Sequence, residues 1–223
     1  MNNNIIDIKN IFKFKYFYFI CIFFAAFNMN NSFAQDHDKN NKQIDDPVQF
    51  LHSIIEQVLI DLKKHHATQK DINQIVDNLI MPKVNFDEMC QWITGRAIWA
   101  KSTDKEKSEF TKELKTLLIK TYSSTLQNYT EEKIEFQNYT GNLNNKRIQI
   151  KSTIIRPGKE NISVDYRLIA TAEGYWKVYD LIIEGVSILQ GFRAQFGDDV
   201  KMHGINFVIN KIKKHNLNNN ATK

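Results

Sequence analysis

The spacing of apolar residues along the chain changes once, from steps of three and four to strict alternation. Between Asp46 and Tyr129 the apolar residues recur at helical spacing and predict several amphipathic helices. Between Ile134 and Ile183 they alternate with polar residues, which predicts antiparallel strands joined by short turns. The pattern therefore predicts an α+β fold in which a four-stranded antiparallel sheet packs against several helices.

Capping residues mark the starts of two helices in the first half of the chain. Asp46 followed by Pro47 predicts an N-cap and a first helical position. Thr103 followed by Glu106 at the third position after it predicts a capping box. We expect the long helix that this box opens to reach about Tyr129.

The last predicted strand leads directly into another helix. Gly185 interrupts the strand, and Ser187 followed by Gln190 predicts the start of the helix. We expect this helix to stop near Gly197, because glycine commonly ends a helix in the left-handed conformation. A loop over residues 197–204 and a terminal helix would then follow.

The N-terminal 34 residues have the pattern of a secretory signal peptide. Lysines precede an apolar run from Tyr16 to Phe27, and the small residues Ser32 and Ala34 predict cleavage before Gln35. This run is shorter than the roughly 20 residues that a membrane-spanning helix needs. The chain is therefore divided into a signal peptide (1–34), a polar flexible spacer (35–45), a single domain (46–215) and a frayed tail (216–223).

The charge and cysteine content of the exported chain exclude two classes of protein. Cleavage removes three lysines and one aspartate, so the net charge falls from +5 to +3. This charge is too small to indicate binding to nucleic acid. The exported chain retains one cysteine, Cys90, and therefore has no internal disulfide framework. An apolar core must stabilise the domain.

Catalytic motifs are absent from the sequence, which contains no G-x-S-x-G, H-E-x-x-H, phosphate loop or C-x-x-C. We therefore expect no enzymatic activity, no cofactor and no metal site. The adjacent acids Asp87 and Glu88 are interpreted as first-turn residues of a helix, where they favour the helix dipole. Arg96 is interpreted as a member of an ion pair, and contact with a phosphate group is the alternative. Asp165 and Asp180 are the strand carboxylates that leave a cone-shaped α+β enzyme open as an alternative. An envelope chaperone is the third hypothesis.

Several sequence blocks, in a fixed order, resemble the MlaC family, the periplasmic phospholipid carriers also called toluene-tolerance auxiliary proteins. The C-terminal blocks are W-K-V-Y-D at 176–180, E-G-V-S at 184–187 and R-x-Q-F at 193–196. Upstream blocks are V-D-Y-R-L at 164–168 and V-N-F-D-E-M at 84–89, the latter followed by G-R. The resemblance covers about residues 84–213.

The resemblance implies a periplasmic protein that carries phospholipid between membranes. Family members hold acyl chains in an apolar cavity between sheet and helices, so the cargo here would be a phospholipid. The implied partners are an inner-membrane ABC transporter complex with its lipid-binding ring and an outer-membrane lipoprotein–porin complex.

We expect the cavity to be lined by one alternating face of the sheet, the long helix and the corner after the last strand. The family resemblance supports Val186 most directly, and ordinary core packing is the alternative for each residue. The predicted lipid-binding residues are Tyr122, Leu126, Ile148, Ile150, Val164, Tyr166, Leu168, Val178, Val186 and Leu189.

Overall fold

A computed structural model describes residues 46–65, 68–126 and 133–218. The signal peptide and spacer predicted for residues 1–45 lie outside this range, as does Tyr129. The side chains of residues 122–126, at the end of a helix, are also outside the description.

The described residues form one antiparallel sheet whose strands lie in sequence order. The predicted α+β architecture is confirmed, with five strands where four were expected. The strands are β1 (Lys133–Phe136), β2 (Arg147–Ile155), β3 (Ile162–Ala170), β4 (Trp176–Ile183) and β5 (Val186–Ser187).

The additional strand, β5, arises from a tight reversal directly after β4. Glu184 and Gly185 both have positive φ angles, 49° and 78°. Two successive residues with positive φ form the kind of turn whose twist matches antiparallel strands. Val186 consequently pairs with Ile183, and two residues of strand form before the next helix starts.

A bulge in β4 changes which of its residues face the same side of the sheet. Leu168 pairs with Val178, and Arg167 pairs with Asp180, so Tyr179 is an extra residue in β4. Because a bulge shifts the alternation by one residue, Tyr179 and Asp180 point away from the side that Val178 faces.

Seven α-helices accompany the sheet in the described part of the chain. A π-helical turn (Val76–Ile80) and a 3₁₀ turn (Met81–Lys83) follow the second helix. The α-helices are α1 (Pro47–His65), α2 (Gln69–Ile75), α3 (Phe86–Thr94), α4 (Arg96–Lys101), α5 (Asp104–Leu126), α6 (Ile188–His203) and α7 (Ile205–Asn218).

Both predicted helix starts in the first half of the chain are confirmed. The Oδ1 atom of Asp46 accepts hydrogen bonds from the backbone N–H groups of Val48 (2.8 Å) and Gln49 (3.3 Å) at the start of α1. The Oε2 atom of Glu106 accepts from the backbone N–H of Thr103 at 2.8 Å, and the Thr103 hydroxyl accepts from the backbone of Glu106 at 3.3 Å. These contacts form the expected capping box before α5.

The predicted end of α6 near Gly197 is wrong, because the helix continues to His203. Gly197 is buried inside the helix, between the buried residues Phe196 and Val200. The positive φ that ends the helix occurs at Gly204, at 81°, whose N–H donates to the carbonyl of Val200 at 3.0 Å. The expected loop over 197–204 is therefore helical up to Gly204.

The predicted frayed tail is also corrected at its first residues, since α7 extends through Asn218. Asn216 is only 4% exposed. Its Nδ2 donates to the carbonyl of Glu113 at 3.1 Å and to the Glu113 carboxylate at 2.8 Å. The Lys120 ammonium donates to the carbonyl of Asn216. These contacts fasten the end of α7 to α5.

The buried apolar side chains form two clusters. The larger cluster joins the sheet to α3, α5, α6 and α7, and includes Leu51, Ile55 and Leu59 from one side of α1. The smaller cluster joins the other side of α1 to α2 and the π-helical turn. Helix α1 therefore bridges a main core and a satellite core. In the described part of the chain, every helix is too short or too polar to span a bilayer.

Candidate functional site

Six of the predicted lipid-binding residues lie on one side of the sheet. Ile148 pairs with Leu168, and Ile150 pairs with Tyr166, across β2 and β3. We call this side the apolar face, defined by Ile148, Ile150, Val164, Tyr166, Leu168 and Val178, all at most 7% exposed. Strand pairing thus brings together residues that are up to thirty positions apart in the sequence.

The other predicted residues are placed differently by the structure. Leu189 in the first turn of α6 is 2% exposed and belongs to the same core, whereas Val186 is 40% exposed. Pairing in the two-residue β5 buries Ser187 and turns Val186 outward, and contact between Val186 and lipid stays a prediction. Tyr122 and Leu126 lie at the end of α5, where the structure describes no side chains.

An aromatic contact that the sequence analysis missed links α1 to the apolar face. The rings of His52 and Phe136 lie 4.8 Å apart between centroids, and those of Phe136 and Tyr166 lie 5.6 Å apart. Alternation placed Phe136 on a strand but could not identify its neighbour across the core. His52 was missed because a histidine does not stand out within an apolar helical stripe.

Two polar side chains on the same side of the sheet as the apolar face, those of Ser152 and Tyr166, are neutral. The Ser152 hydroxyl is buried and donates to the carbonyl of Val164 at 2.8 Å. Burial raises the pKa of the Tyr166 hydroxyl well above its ordinary value, so the phenol stays protonated at physiological pH. A face without charges is compatible with a hydrocarbon ligand.

A buried carboxylate holds the corner between β4, β5 and α6. The side chain of Asp180 has no exposed surface, and its Oδ2 accepts from the Ser187 hydroxyl at 2.6 Å and from Arg167 at 3.1 Å. Its Oδ1 accepts from the backbone N–H groups of Leu189 (3.1 Å) and Leu181 (2.9 Å). Burial raises the pKa of Asp180, and these hydrogen bonds together with Arg167 act in the opposite direction.

The carboxylates that could serve an enzyme accept hydrogen bonds from neighbouring protein groups. Asp180 holds the corner just described, and Asp165 accepts from the Gln149 amide at 2.7 Å. Glu88 accepts from Arg147 at 2.8 Å and from the Trp92 indole at 3.2 Å. These contacts give no geometric support to the enzyme alternative.

Arg96 lies exposed in the first turn of α4. The ion pairs found among the described residues do not include the one expected for Arg96.

A separate groove of about 750 Å³ lies between α5, the start of α3 and the π-helical turn. Lys107, Lys112 and Lys115 of α5 line one side of it. Among the predicted lipid-binding residues whose side chains are described, none lines this groove. The described residues contain no cluster of side chains that could hold a metal ion.

The structure is an α+β domain in which helices pack against an antiparallel sheet and share its apolar core. The sequence matches the family described as "MlaC protein" over residues 52–214. Because this match spans well over half of the chain, the chain belongs to the MlaC family.

Two known proteins are similar to this chain, one in sequence and one in structure. It is 29% identical over 146 residues to the intermembrane phospholipid transport system binding protein MlaC of Haemophilus influenzae, an alignment that covers 64% of this chain and 67% of that protein. A solved structure of a phospholipid-binding protein from Ralstonia solanacearum, in complex with a phospholipid, matches with a TM-score of 0.65 and 23% identity. That match covers 75% of this chain and 97% of the other, and it shows a shared fold.

Proposed function

We propose that the protein is a periplasmic phospholipid carrier that holds acyl chains against the apolar face. The observation that carries the proposal is the register of six apolar residues on one side of the sheet, in a chain that belongs to the MlaC family. The two relatives described above bear names that refer to phospholipid binding or transport.

A carrier is needed because a phospholipid does not cross water unaided. Each methylene is worth about 0.8 kcal/mol on burial, so two acyl chains with roughly thirty methylenes lose on the order of 20 kcal/mol on entering water. An uncharged apolar face in a folded protein offsets this loss. Transfer follows when the next binding site offers the lipid a comparable environment.

Access to the apolar face requires movement of the side chains that cover it. Ile150, Tyr166 and Leu168 are at most 1% exposed, so protein atoms contact them on all sides. An acyl chain that touches these residues must displace that cover. Helix α1 is one part of it, through the contact between His52 and Phe136.

Val186 would then contact the lipid at the rim of the site rather than in its interior. It is exposed, but it lies in the corner that Asp180 fixes, beside the buried Leu189. A charge at this rim would be poorly compatible with an acyl chain while leaving the core intact.

The proposed partners follow from the family. The carrier would exchange lipid with an inner-membrane ABC transporter complex carrying a lipid-binding ring and with an outer-membrane lipoprotein–porin complex. Export would depend on the signal peptide predicted for residues 1–34.

Native mass spectrometry of the exported protein, purified without detergent and then extracted with solvent, tests the proposal. We expect a mass excess equal to a diacyl phospholipid, released intact. Hydrolysed lipid would favour the enzyme alternative, and bound peptides would favour the chaperone. A protein that stays empty after incubation with liposomes would contradict the carrier function.

A matched pair of variants locates the lipid in the same experiment. We expect Val186→Glu to reduce the lipid-bound fraction severalfold. Tyr175→Glu, at a residue that is 63% exposed in the turn before β4, should leave it unchanged. Equal lipid occupancy in the two variants would remove Val186 from the site.

A further inference from the structure

The lysine groove, defined by Lys107, Lys112 and Lys115 of α5, is not used by the proposed lipid site. Its volume of about 750 Å³ is within the range of ligand-binding clefts. Apolar side chains from both sides, including Met81 and Ile119, complete its lining. We propose that this groove binds an extended acidic segment of a partner protein. The proposal does not rest on the lipid-carrying function.

The charges in the groove favour an anionic ligand. Three lysines and two aspartates, Asp77 and Asp87, line the groove. The carboxylate of Asp87 already accepts hydrogen bonds from the Trp99 indole at 3.0 Å and from the Gln91 amide at 2.7 Å. These neutral donors hold the Asp87 carboxylate in place without cancelling its charge, so the lining carries one net positive charge, which favours an anionic ligand.

The spacing of the lysines favours an extended ligand over a single phosphate. With a rise of about 1.5 Å per residue, Lys107 and Lys115 are separated by about 12 Å along α5. A phosphate site needs donors that converge on one point, whereas these lysines are attached along more than two turns of α5. An extended peptide, at about 3.3 Å per residue, would place alternate carboxylates about 7 Å apart along such a row.

The groove has a preformed lysine position and apolar contacts that a peptide could use. The Lys115 ammonium lies 4.7 Å from the centre of the Phe86 ring, which holds the side chain in place. Met81 and Ile119 offer contact to an apolar residue within the acidic segment. Charge complementarity of this kind mainly raises the association rate and selects the partner.

Fluorescence anisotropy with a fluorescein-labelled decapeptide of alternating glutamate and serine tests the proposal. The exported protein should bind this peptide, and the same peptide with glutamine in place of glutamate should bind at least tenfold more weakly. The double variant Lys107→Glu/Lys112→Glu should weaken binding of the glutamate peptide at least tenfold.

A double variant with the same change in net charge is the control. Lys146→Glu/Lys159→Glu alters two exposed lysines in loops outside the groove and should change binding by less than twofold. Equal weakening by both double variants would show attraction by net charge alone and would overturn the proposal. Displacement of the peptide by low-millimolar inorganic phosphate would indicate a phosphate site and would overturn the proposal. A protein that does not bind the glutamate peptide would overturn the proposal as well.

Two further measurements separate this proposal from the lipid proposal. Circular dichroism and urea unfolding confirm that both double variants are folded. The groove variant should retain the lipid occupancy of the unaltered protein in native mass spectrometry. Peptide binding by a protein that carries no lipid would support the groove while contradicting the carrier function.

Discussion

At the scale of single residues, Asp180 shows how one buried carboxylate can organise a corner of the fold. Its two oxygens accept from two backbone N–H groups, a serine hydroxyl and a guanidinium. These donors belong to β3, β4, β5 and the first turn of α6. A residue that suggested chemistry in the sequence is therefore explained by packing and hydrogen bonding.

Replacing Asp180 with asparagine should destabilise the protein by about 3 kcal/mol, because a buried charge pair loses one partner. We place the cost at the lower end of the usual range because the Arg167 side chain is 28% exposed. Asp165→Asn, on the more exposed face of the neighbouring strand, should cost no more than about 0.5 kcal/mol. Urea unfolding measures both, and similar losses in the two variants would contradict the role of Asp180.

The thiol of Cys90 should make stability decrease at alkaline pH. Burial raises its pKa to about 12, although a hydrogen bond with Thr111 acts in the opposite direction. An unfolded thiol ionises near pH 8.5, so the thiol contributes stability that is complete below that pH and is lost above it. At pH 10 the exported protein should have lost about 2 kcal/mol relative to Cys90→Ala.

The measurement is the difference in unfolding free energy between the two proteins from pH 7 to pH 10. Tyrosines and lysines titrate in both proteins, so their contributions largely cancel in the difference. A difference that stays constant over this range would show that Cys90 is accessible to solvent. Rapid labelling of the folded protein by a thiol reagent would agree with that contrary result.

At the scale of helices and strands, the two glycines of the α6–α7 region have opposite structural roles. Gly204 ends α6 with a φ of 81°, a conformation that disfavours residues with a side chain. Gly197 lies within the helix, where an added Cβ would lie 3.6 Å from the Cγ atom of Arg193, an ordinary contact distance.

Gly204→Ala should therefore destabilise the protein by about 1 kcal/mol or more. Gly197→Ala should be neutral or should stabilise it by up to about 1 kcal/mol, because alanine has the higher helix propensity. Thermal and urea unfolding of the two variants measure the contrast. If Gly197→Ala destabilised the protein more than Gly204→Ala, the result would support a helix end at Gly197, as the sequence predicts.

Local sequence rules predicted the parts of the fold that depend on neighbouring residues. Alternation placed Ile148, Ile150 and Tyr166 on one face, and capping rules located the starts of α1 and α5. The end of α6 could not be predicted because Gly197 and Gly204 both satisfy the rule that glycine commonly ends a helix. Only the packing of Phe196 and Val200 shows that the helix continues past Gly197.

Features that depend on distant contacts could not be predicted. The pairing of His52 with Phe136 and the burial of Asn216 against Glu113 join segments far apart in the sequence. The outward position of Val186 follows from the turn at Glu184, a non-glycine residue with positive φ. Such a conformation is uncommon for a residue with a side chain, so the sequence did not indicate β5.

At the scale of the whole molecule, the tryptophans lie in three different environments and can report where acyl chains bind. Trp176 is 2% exposed and shares the side of β4 that carries Val178. Trp99 donates to Asp87 beside the lysine groove, and Trp92 donates to Glu88.

Loading with a phospholipid that has brominated acyl chains should quench fluorescence mainly from Trp176, because bromine quenches at short range. Trp176→Phe should lose most of the quenching, whereas Trp99→Phe should retain it. A protein with Trp92→Phe and Trp99→Phe, which keeps Trp176, should still be quenched. Quenching that disappears with Trp99 would place the acyl chains beside α5 instead, away from the apolar face.

The short outer strands of the sheet limit its ability to aggregate. A long strand with unpaired backbone groups is a template on which other chains can add. Here the first edge is the four-residue β1, which carries the exposed charges of Lys133 and Glu135. At the other edge, the two-residue β5 pairs with Ile182 and Ile183, and Val84 forms a separate bridge to Val178. A molecule that opens its core to exchange a ligand would therefore expose apolar side chains, while its two outermost strands present only short stretches of backbone on which a fibril could grow.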